Sequence, residues 1–140
     1  MEKSERDSET RSVVPVKVLL DTNFLLTMVR HKIHGFEELD AKLRPELFTL
    51  SGVMGEIEAL SKKDKKIKNE ANVVKQILTN NKVKILESTM GSIDNELVEL
   101  CGEYVIATND KVLRQRVQKA GGKTIYIRSL DFIDVSEVLD

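Results

Sequence analysis

The chain carries VKVLLDTN at residues 16–23, a short apolar run that ends in an aspartate. A run of this length between polar segments is typical of a strand buried in a parallel sheet. Asp21, Thr22 and Asn23 are all good helix N-cap residues, so the pattern predicts a strand over residues 16–20 that turns directly into a helix. The carboxyl end of such a strand lies at the ligand-binding edge of an α/β sheet, which places Asp21 there.

A second stretch of the same kind is YVIATND at residues 104–110. It ends in Asp110 and leads into a predicted helix over residues 111–120, which two glycines terminate. Acids that follow two separate strands can meet at one edge of the sheet. Carboxylate oxygens in that arrangement suit Mg²⁺ or Mn²⁺ rather than zinc. These two stretches therefore indicate a hydrolase of phosphodiesters.

Strands and helices alternate along the rest of the chain. This alternation predicts a three-layer α/β/α fold, in which a parallel sheet of about five strands has helices on both faces. The further strands are predicted at 47–50, 83–86 and 124–127. The further helices are predicted at 24–30, 36–43, 51–60, 64–81, 93–101 and, as a short element, 135–139.

Length and composition limit the class of protein. The 140 residues, 41% of them hydrophobic, suit one domain, which we place at residues 14–140 after a polar, disordered tail at 1–13. A net charge of −1 excludes a basic footprint over the whole chain, so nucleic acid would have to bind a local basic patch. No apolar run approaches the roughly 20 residues of a membrane span, and we expect a soluble cytoplasmic protein.

The one cysteine, Cys101, excludes an internal disulfide and a zinc site built on cysteines. It lies in an apolar helical stripe, which favours a small core residue over a reactive thiol. His31 and His34 are three residues apart in a loop-like segment, and an isolated pair of this kind is more often a surface feature than a metal site.

Helix geometry separates some of the nearby acids. Val53, Ile57 and Leu60 form one apolar stripe, and Glu56 lies about 65° from its centre while Glu58 lies about 125° away. Glu56 can therefore reach a cleft at the edge of the sheet, and Glu58 faces water.

The same geometry leaves Asp94 and Glu96 as equal alternatives on the next acidic helix, because they flank its stripe on opposite sides. Each acid also has an ordinary explanation when it is taken alone. Asp21 and Asp110 can be helix caps, and Glu56 can be a surface acid. The four acids together are more than capping requires.

Four segments resemble the motifs of PIN domains, in the family's order over about residues 16–128. VLLDTNFL at 18–25 resembles the opening motif, and VMGEIEAL at 53–60 resembles the second motif, a helix with one essential Glu. IDNEL at 93–97 resembles the third, where Asn95 stands in place of a frequent second acid. VIATNDKVLR at 105–114 resembles the fourth.

The resemblance implies a strand order of 3-2-1-4-5 and one acidic site. It selects Asp94 over Glu96, so that the implied metal-binding and catalytic acids are Asp21, Glu56, Asp94 and Asp110. It further implies hydrolysis of single-stranded RNA by a water activated by Mg²⁺ or Mn²⁺. Asn23, Thr108 and Asn109 are expected to hydrogen-bond the ligating acids.

Candidate contacts for RNA phosphates are basic residues on two helices. They are Lys111 and Arg114, with Arg116 and Lys119 on the same helix, and a lysine run at residues 62–68. A solvated helix surface is the ordinary alternative for both groups.

The same resemblance leaves three functions open. The first is an endoribonuclease in the processing of rRNA or other RNA. The second is a VapC-type toxin paired with an antitoxin, and the third is a non-catalytic RNA-binding scaffold. The family habit of pairing implies a homodimer.

Overall fold

The computed structural model describes residues 14–139, and the tail predicted at residues 1–13 lies outside the described residues. Its strands are β1 (Lys17–Leu20), β2 (Glu46–Leu50), β3 (Lys84–Leu86), β4 (Val105–Ala107), β5 (Thr124–Arg128) and β6 (Phe132–Asp134). Its helices are α1 (Thr22–Arg30), α2 (Gly35–Leu43), α3 (Ser51–Lys63), α4 (Lys65–Asn80), α5 (Ile93–Leu100), α6 (Lys111–Lys119) and α7 (Ser136–Leu139). The division into a tail and one domain at 14–140 stays a prediction.

The strands form one sheet in the order β3-β2-β1-β4-β5-β6. Strands β1 to β5 are parallel, and β6 runs antiparallel to β5. The predicted α/β architecture and the order 3-2-1-4-5 are confirmed. The strand order reverses between β1 and β4, and in open α/β sheets ligands bind in the crevice outside the carboxyl ends of the strands at such a point.

The central strand β1 is buried because helices cover the sheet on both faces. Val18, Leu19 and Leu20 are all fully buried. Helices α1, α3 and α4 pack against one another, and α5 packs against α6. An apolar strand with no polar alternation is the pattern that this position requires.

Strand β6 was not predicted, and the sheet is therefore larger than expected. Three residues with no clear alternation give no strand signal, and the strand is held by side-chain bonds from beyond it. Asp134 accepts hydrogen bonds from Ser136 N and Oγ (2.9 and 2.7 Å), from Tyr126 Oη (3.1 Å) and from Arg128 Nη1 (3.1 Å). These bonds, above all those from Ser136, hold the pKa of Asp134 well below its usual range.

Cys101 is buried at the end of α5, as predicted. A Cβ added at Gly122 would lie 2.8 Å from the Sγ of Cys101, so the glycine after α6 allows the end of α6 to approach the end of α5 closely.

Among residues 14–139 no helix has the length and apolarity needed to cross a bilayer.

The turn between β5 and β6 contains an unusual backbone at Ser129 and Leu130, whose φ angles are 55° and 50°. Asp131 N donates to Arg128 O (3.0 Å) across the turn, and two positive φ angles define the type I′ geometry that favours Asn and Gly. Leu130 is 53% exposed, so packing does little to offset a strain of about 1–2 kcal/mol. We expect Leu130→Gly to raise the free energy of unfolding by roughly 0.5–1 kcal/mol in urea denaturation.

Gly121→Ala provides the opposite control, because Gly121 has a φ of 87° directly after α6. Its N–H donates to Gln118 O (3.0 Å) while Gly122 N donates to Val117 O (2.9 Å), the bonding of a Schellman motif. Alanine there should lower the free energy of unfolding by about 1 kcal/mol. A Leu130→Gly protein that is no more stable than the original would contradict the strain assigned to the turn.

Candidate active site

Asp21 lies at the carboxyl end of β1, where the strand order reverses, and is 4% exposed. Its Oδ1 accepts a hydrogen bond from Thr22 N (2.8 Å), so it caps α1, and its Oδ2 accepts one from Thr108 Oγ1 (2.8 Å). Asp21 N donates to Ala107 O (3.0 Å) and so joins the end of β1 to the end of β4. The carboxylate is therefore held in one orientation from both sides.

Thr108 is the buried centre of a small network at this edge. Its Oγ1 accepts from Asp110 N (3.2 Å) and lies 3.3 Å from Asn23 Oδ1. Asn23 Oδ1 also accepts from Asn109 N (2.9 Å), and Asn109 Oδ1 accepts from Ile127 N (2.8 Å). Among the described residues, Thr108 alone of the three predicted supporting side chains donates to a site carboxylate, while Asn23 and Asn109 tie the ends of β1, β4 and β5 together.

Asp110 caps α6, because its Oδ1 accepts from Leu113 N (3.1 Å). That bond engages one of its two carboxylate oxygens. The capping explanation is therefore correct for Asp21 and for Asp110, and it does not compete with a place in the cleft, since both caps lie at the ends of the two neighbouring central strands.

The charges of Glu56 and Asp94 reach the same cleft. The pKa of Asp21 is raised from 3.8 to about 6, mainly by burial and also by the charges of Asp94 and Glu56, against two hydrogen bonds that lower it. Partial desolvation also raises the pKa of Asp94, which is an exposed residue, assisted by the charges of Asp110 and Glu56. Asp94 and Glu56 thus lie within range of the charge of Asp21, and Asp110 and Glu56 lie within range of that of Asp94.

The two alternative acids lie elsewhere. Glu58 is exposed and pairs with Lys75 on α4, 3.1 Å away. Glu96 is 4% exposed, and its Oε2 accepts a hydrogen bond from Thr89 N (3.0 Å). The charges of Glu56 and Asp94 contribute to the raised pKa of Asp21, and those of Glu58 and Glu96 do not, which supports Glu56 over Glu58 and Asp94 over Glu96.

The two basic residues predicted to meet RNA differ in their surroundings. Lys111 is exposed in the first turn of α6. The guanidinium of Arg114 lies 3.6 Å from the ring centroid of Tyr126 and its Nη2 lies 3.9 Å from Glu137 Oε2, with the side chain 20% exposed. Arg114 therefore packs α6 against β5 and α7, which does not support the RNA contact predicted for it.

Arg116, which the sequence analysis grouped with three other basic residues of α6, lies beside Asn95 at the edge of the site. Its Nη2 donates to Asn95 Oδ1 (2.7 Å), and its charge lowers the pKa of the neighbouring Asp94 against the effect of burial. No sequence signal separates it from Arg114 and Lys119, because all three lie on the same helix and only the packing of α5 on α6 distinguishes them.

The donor set of the cleft fits a hard divalent cation. Carboxylate oxygens suit Mg²⁺ or Mn²⁺. Desolvation is the main cause of the raised pKa values of Asp21 and Asp94, and like charges, which a cation would offset, add to it. Within residues 14–139, no three Asp, Glu, His or Cys side chains lie close enough to ligate one ion directly.

The doubly wound sheet and the acids at its reversal point define a class of α/β proteins with an acidic cleft at the switch point. Within that class, residues 18–130 match the family model described as PIN like domain. This chain belongs to that family, as the resemblance of its four motifs predicted.

Two relatives and one further structure are similar to the chain. Ribonuclease VapC4 of Methanocaldococcus jannaschii is 26% identical over 125 residues, which cover 85% of this chain and 95% of that protein. The structure of the PIN domain endonuclease Utp24 aligns with a TM-score of 0.69 and 25% identity, covering 86% of this chain and 92% of that one. A domain of a functionally unknown M. jannaschii protein aligns with a TM-score of 0.55 at 14% identity over 81% of this chain and 92% of its own, and shows the fold alone.

Proposed function

We propose that this protein is a metal-dependent endoribonuclease that hydrolyses phosphodiester bonds in single-stranded RNA. The observation that carries the proposal is the position of Asp21 and Asp110 just after two neighbouring central strands, with raised pKa values at Asp21 and Asp94 to which the charges of Glu56 and Asp110 contribute. The similarity to a ribonuclease and to a PIN domain endonuclease supports the same reaction.

The four acids are the residues that would hold Mg²⁺ or Mn²⁺, directly or through bound water. When bound, the ion supplies a water of lowered pKa and neutralises charge on the phosphate. Asp21 contributes a carboxylate whose two oxygens are already oriented by Thr22 N and Thr108 Oγ1. Thr108 Oγ1 also accepts a hydrogen bond from Asp110 N, so one hydroxyl contacts both strand-end acids and fixes their relative positions. This preorganisation avoids reordering the acids at each turnover.

A role in rRNA or other RNA processing is our first assignment, on the resemblance of the sequence motifs, and the similarity to the PIN domain endonuclease Utp24 supports endonuclease activity. A VapC-type toxin with a protein antitoxin is the second, and the match to VapC4 over most of both chains favours it. Co-expression with the neighbouring gene product separates the two assignments, because an antitoxin would copurify and suppress cleavage.

We also propose that the chain pairs as a homodimer, which sedimentation of the purified protein tests.

The first experiment is cleavage of an end-labelled single-stranded RNA in Mg²⁺ or Mn²⁺, compared with EDTA and with Asp21→Asn. Metal-dependent cleavage that the variant lacks supports the nuclease. Equal RNA binding by both proteins, without cleavage by either, contradicts the nuclease and supports the non-catalytic RNA-binding scaffold. Loss of both binding and cleavage in the original protein overturns the assignment of RNA as substrate.

A paired substitution on α3 tests the assignment of the acids. We expect Glu56→Gln to lower kcat/KM at least about a hundredfold, since residues that only support a ligand already cost 10–100-fold. Glu58→Gln should stay within about twofold, because it removes only an exposed ion pair with Lys75. An active Glu56→Gln beside an inactive Glu58→Gln would refute the site as we have assigned it.

A further inference from the structure

We propose that Arg116 binds a phosphate of the RNA strand at the rim of the acidic cleft, and that it is the arginine of α6 that does so. This inference rests on the proposed function, and it names the residue through which a cleft lined by acids accepts a polyanion. Four carboxylates repel RNA, a bound metal offsets only part of that charge, and a basic group at the rim offsets part of it whether or not a metal is bound.

The position of Arg116 follows from the geometry of α6. The helix begins next to Asp110, and Arg116 lies about 9 Å further along its axis. Helical side chains lean toward the N-terminus, so a long side chain at this position extends back toward the cleft. Its Nη2 indeed donates to Asn95 Oδ1 (2.7 Å), and Asn95 follows Asp94 in the first turn of α5.

The guanidinium at this point has donors left for a substrate. It carries five N–H groups in a fixed fork, and the bond to Asn95 uses one of them. The planar fork matches two phosphate oxygens at once. The side chain belongs to an exposed residue at the α5–α6 junction, so a passing strand reaches it without displacing packed groups.

Arg114, Lys119 and the lysine run at residues 62–68 are less well placed than Arg116. The guanidinium of Arg114 packs on the ring of Tyr126 and lies near the carboxylate of Glu137. Lys119 lies about 4.5 Å further from the cleft along the helix axis than Arg116. The lysine run borders a separate open cavity of about 400 Å³ at the junction of α3 and α4. The cavity is lined by Glu58 and the residues that follow it, and Glu56 is not part of its lining.

A purely structural role for Arg116 predicts different experimental results from a phosphate-binding role. If Arg116 only clamps α5 to α6 through Asn95, then removing the Asn95 amide should reproduce the loss of Arg116. If Arg116 binds phosphate, removing Asn95 frees one more donor and leaves RNA affinity unchanged. Asn95→Ala is therefore the variant that separates the two roles.

RNA affinity is best measured in an Asp21→Asn background, in EDTA, by the anisotropy of a labelled single-stranded RNA between 50 and 200 mM KCl. We expect Arg116→Gln to raise Kd about tenfold at the lowest salt, as one charged hydrogen bond is lost. The slope of log K against log salt should fall by about 0.7, the value for one phosphate on a single strand. Lys119→Gln and Asn95→Ala should each remain within about twofold with an unchanged slope.

Kinetics in the catalytically intact chain give a second readout. Arg116→Gln should raise KM about tenfold and leave kcat within about threefold, because a phosphate contact away from the reacting atoms is equally strong in the ground and transition states. An Asn95→Ala protein that matches Arg116→Gln, or a Lys119→Gln protein with the same change of slope, overturns the inference and leaves the nuclease intact. Failure of the parent chain to bind or cleave RNA overturns the proposed function itself.

Discussion

Asp21→Asn should abolish metal-dependent cleavage and, in metal-free buffer at pH 7, make the protein more stable by about 1–3 kcal/mol. The gain arises because Asp21 is buried and faces Asp94 and Glu56, so its ionised form is disfavoured in the folded state. Asparagine keeps the bonds, since it can accept from Thr22 N and donate to Thr108 Oγ1. The Thr108 hydroxyl then turns its proton toward Asn23 Oδ1, 3.3 Å away.

The effect of Asp21 on stability depends on pH with a definite sign. Its folded pKa is raised from 3.8 to about 6, so folding is penalised when the group is ionised. The penalty is absent below about pH 4, grows between about pH 4 and 6, and is constant above that range. Urea denaturation of both proteins in EDTA across this range should show equal stability at acid pH and a widening difference as the pH rises.

Asp134→Asn supplies a control with the opposite sign. Asp134 is also buried, but its hydrogen bonds lower its pKa, so its ionised form stabilises the fold above about pH 4 and the benefit is lost as the pH falls through the folded pKa. Asp134→Asn should therefore be less stable than the original at pH 7. An Asp21→Asn protein that is also less stable at pH 7 would contradict our account of the cleft.

Divalent ions should reverse the advantage of Asp21→Asn. A ligand that binds the folded state stabilises it by RT ln(1 + [L]/Kd), so Mn²⁺ at about 100 times its Kd would contribute about 2.7 kcal/mol to the original protein. Asp21→Asn should gain much less. Thermal melting with and without Mn²⁺ measures the difference without reference to RNA.

Thr108→Val is the second substitution with a large expected effect. The change conserves volume but removes the hydroxyl that donates to Asp21 Oδ2 and accepts from Asp110 N. We expect the free energy of unfolding to fall by about 2–3 kcal/mol, since polar groups lose their partner at a fully buried position. Cleavage should fall about 10–100-fold, as for the loss of a residue that orients a metal ligand.

Thr49→Val is the matched control for that experiment. Thr49 is equally buried in the neighbouring strand β2, and its hydroxyl donates to Leu20 O (2.8 Å) rather than to a carboxylate. Its loss should lower stability by about 1 kcal/mol and leave cleavage within a few-fold. Equal losses of activity in the two valine variants would show that Thr108 acts through general stability rather than through Asp21 and Asp110.

Local sequence patterns predicted much of the fold. Strand β1 and the cap at Asp21 were predictable because an apolar run and a capping residue act within a few positions of the chain. The alternation of elements predicted the layers, and the resemblance to PIN domains supplied the strand order. Strand β6 escaped prediction because its three residues carry no period, and its anchor, Asp134, depends on partners in β5 and α7.

What the sequence by itself determined about this protein is the α/β architecture, the family and the two strand-end acids, since each depends on order and spacing along the chain. Only the tertiary structure decided which faces of neighbouring helices meet. It turned Asp94 toward the other acids and Glu96 toward Thr89, and it packed Arg114 on Tyr126 while it left Arg116 beside Asn95. The physical reason is that helical period assigns a side chain to a face, whereas the neighbour of that face is chosen by the packing of the whole core.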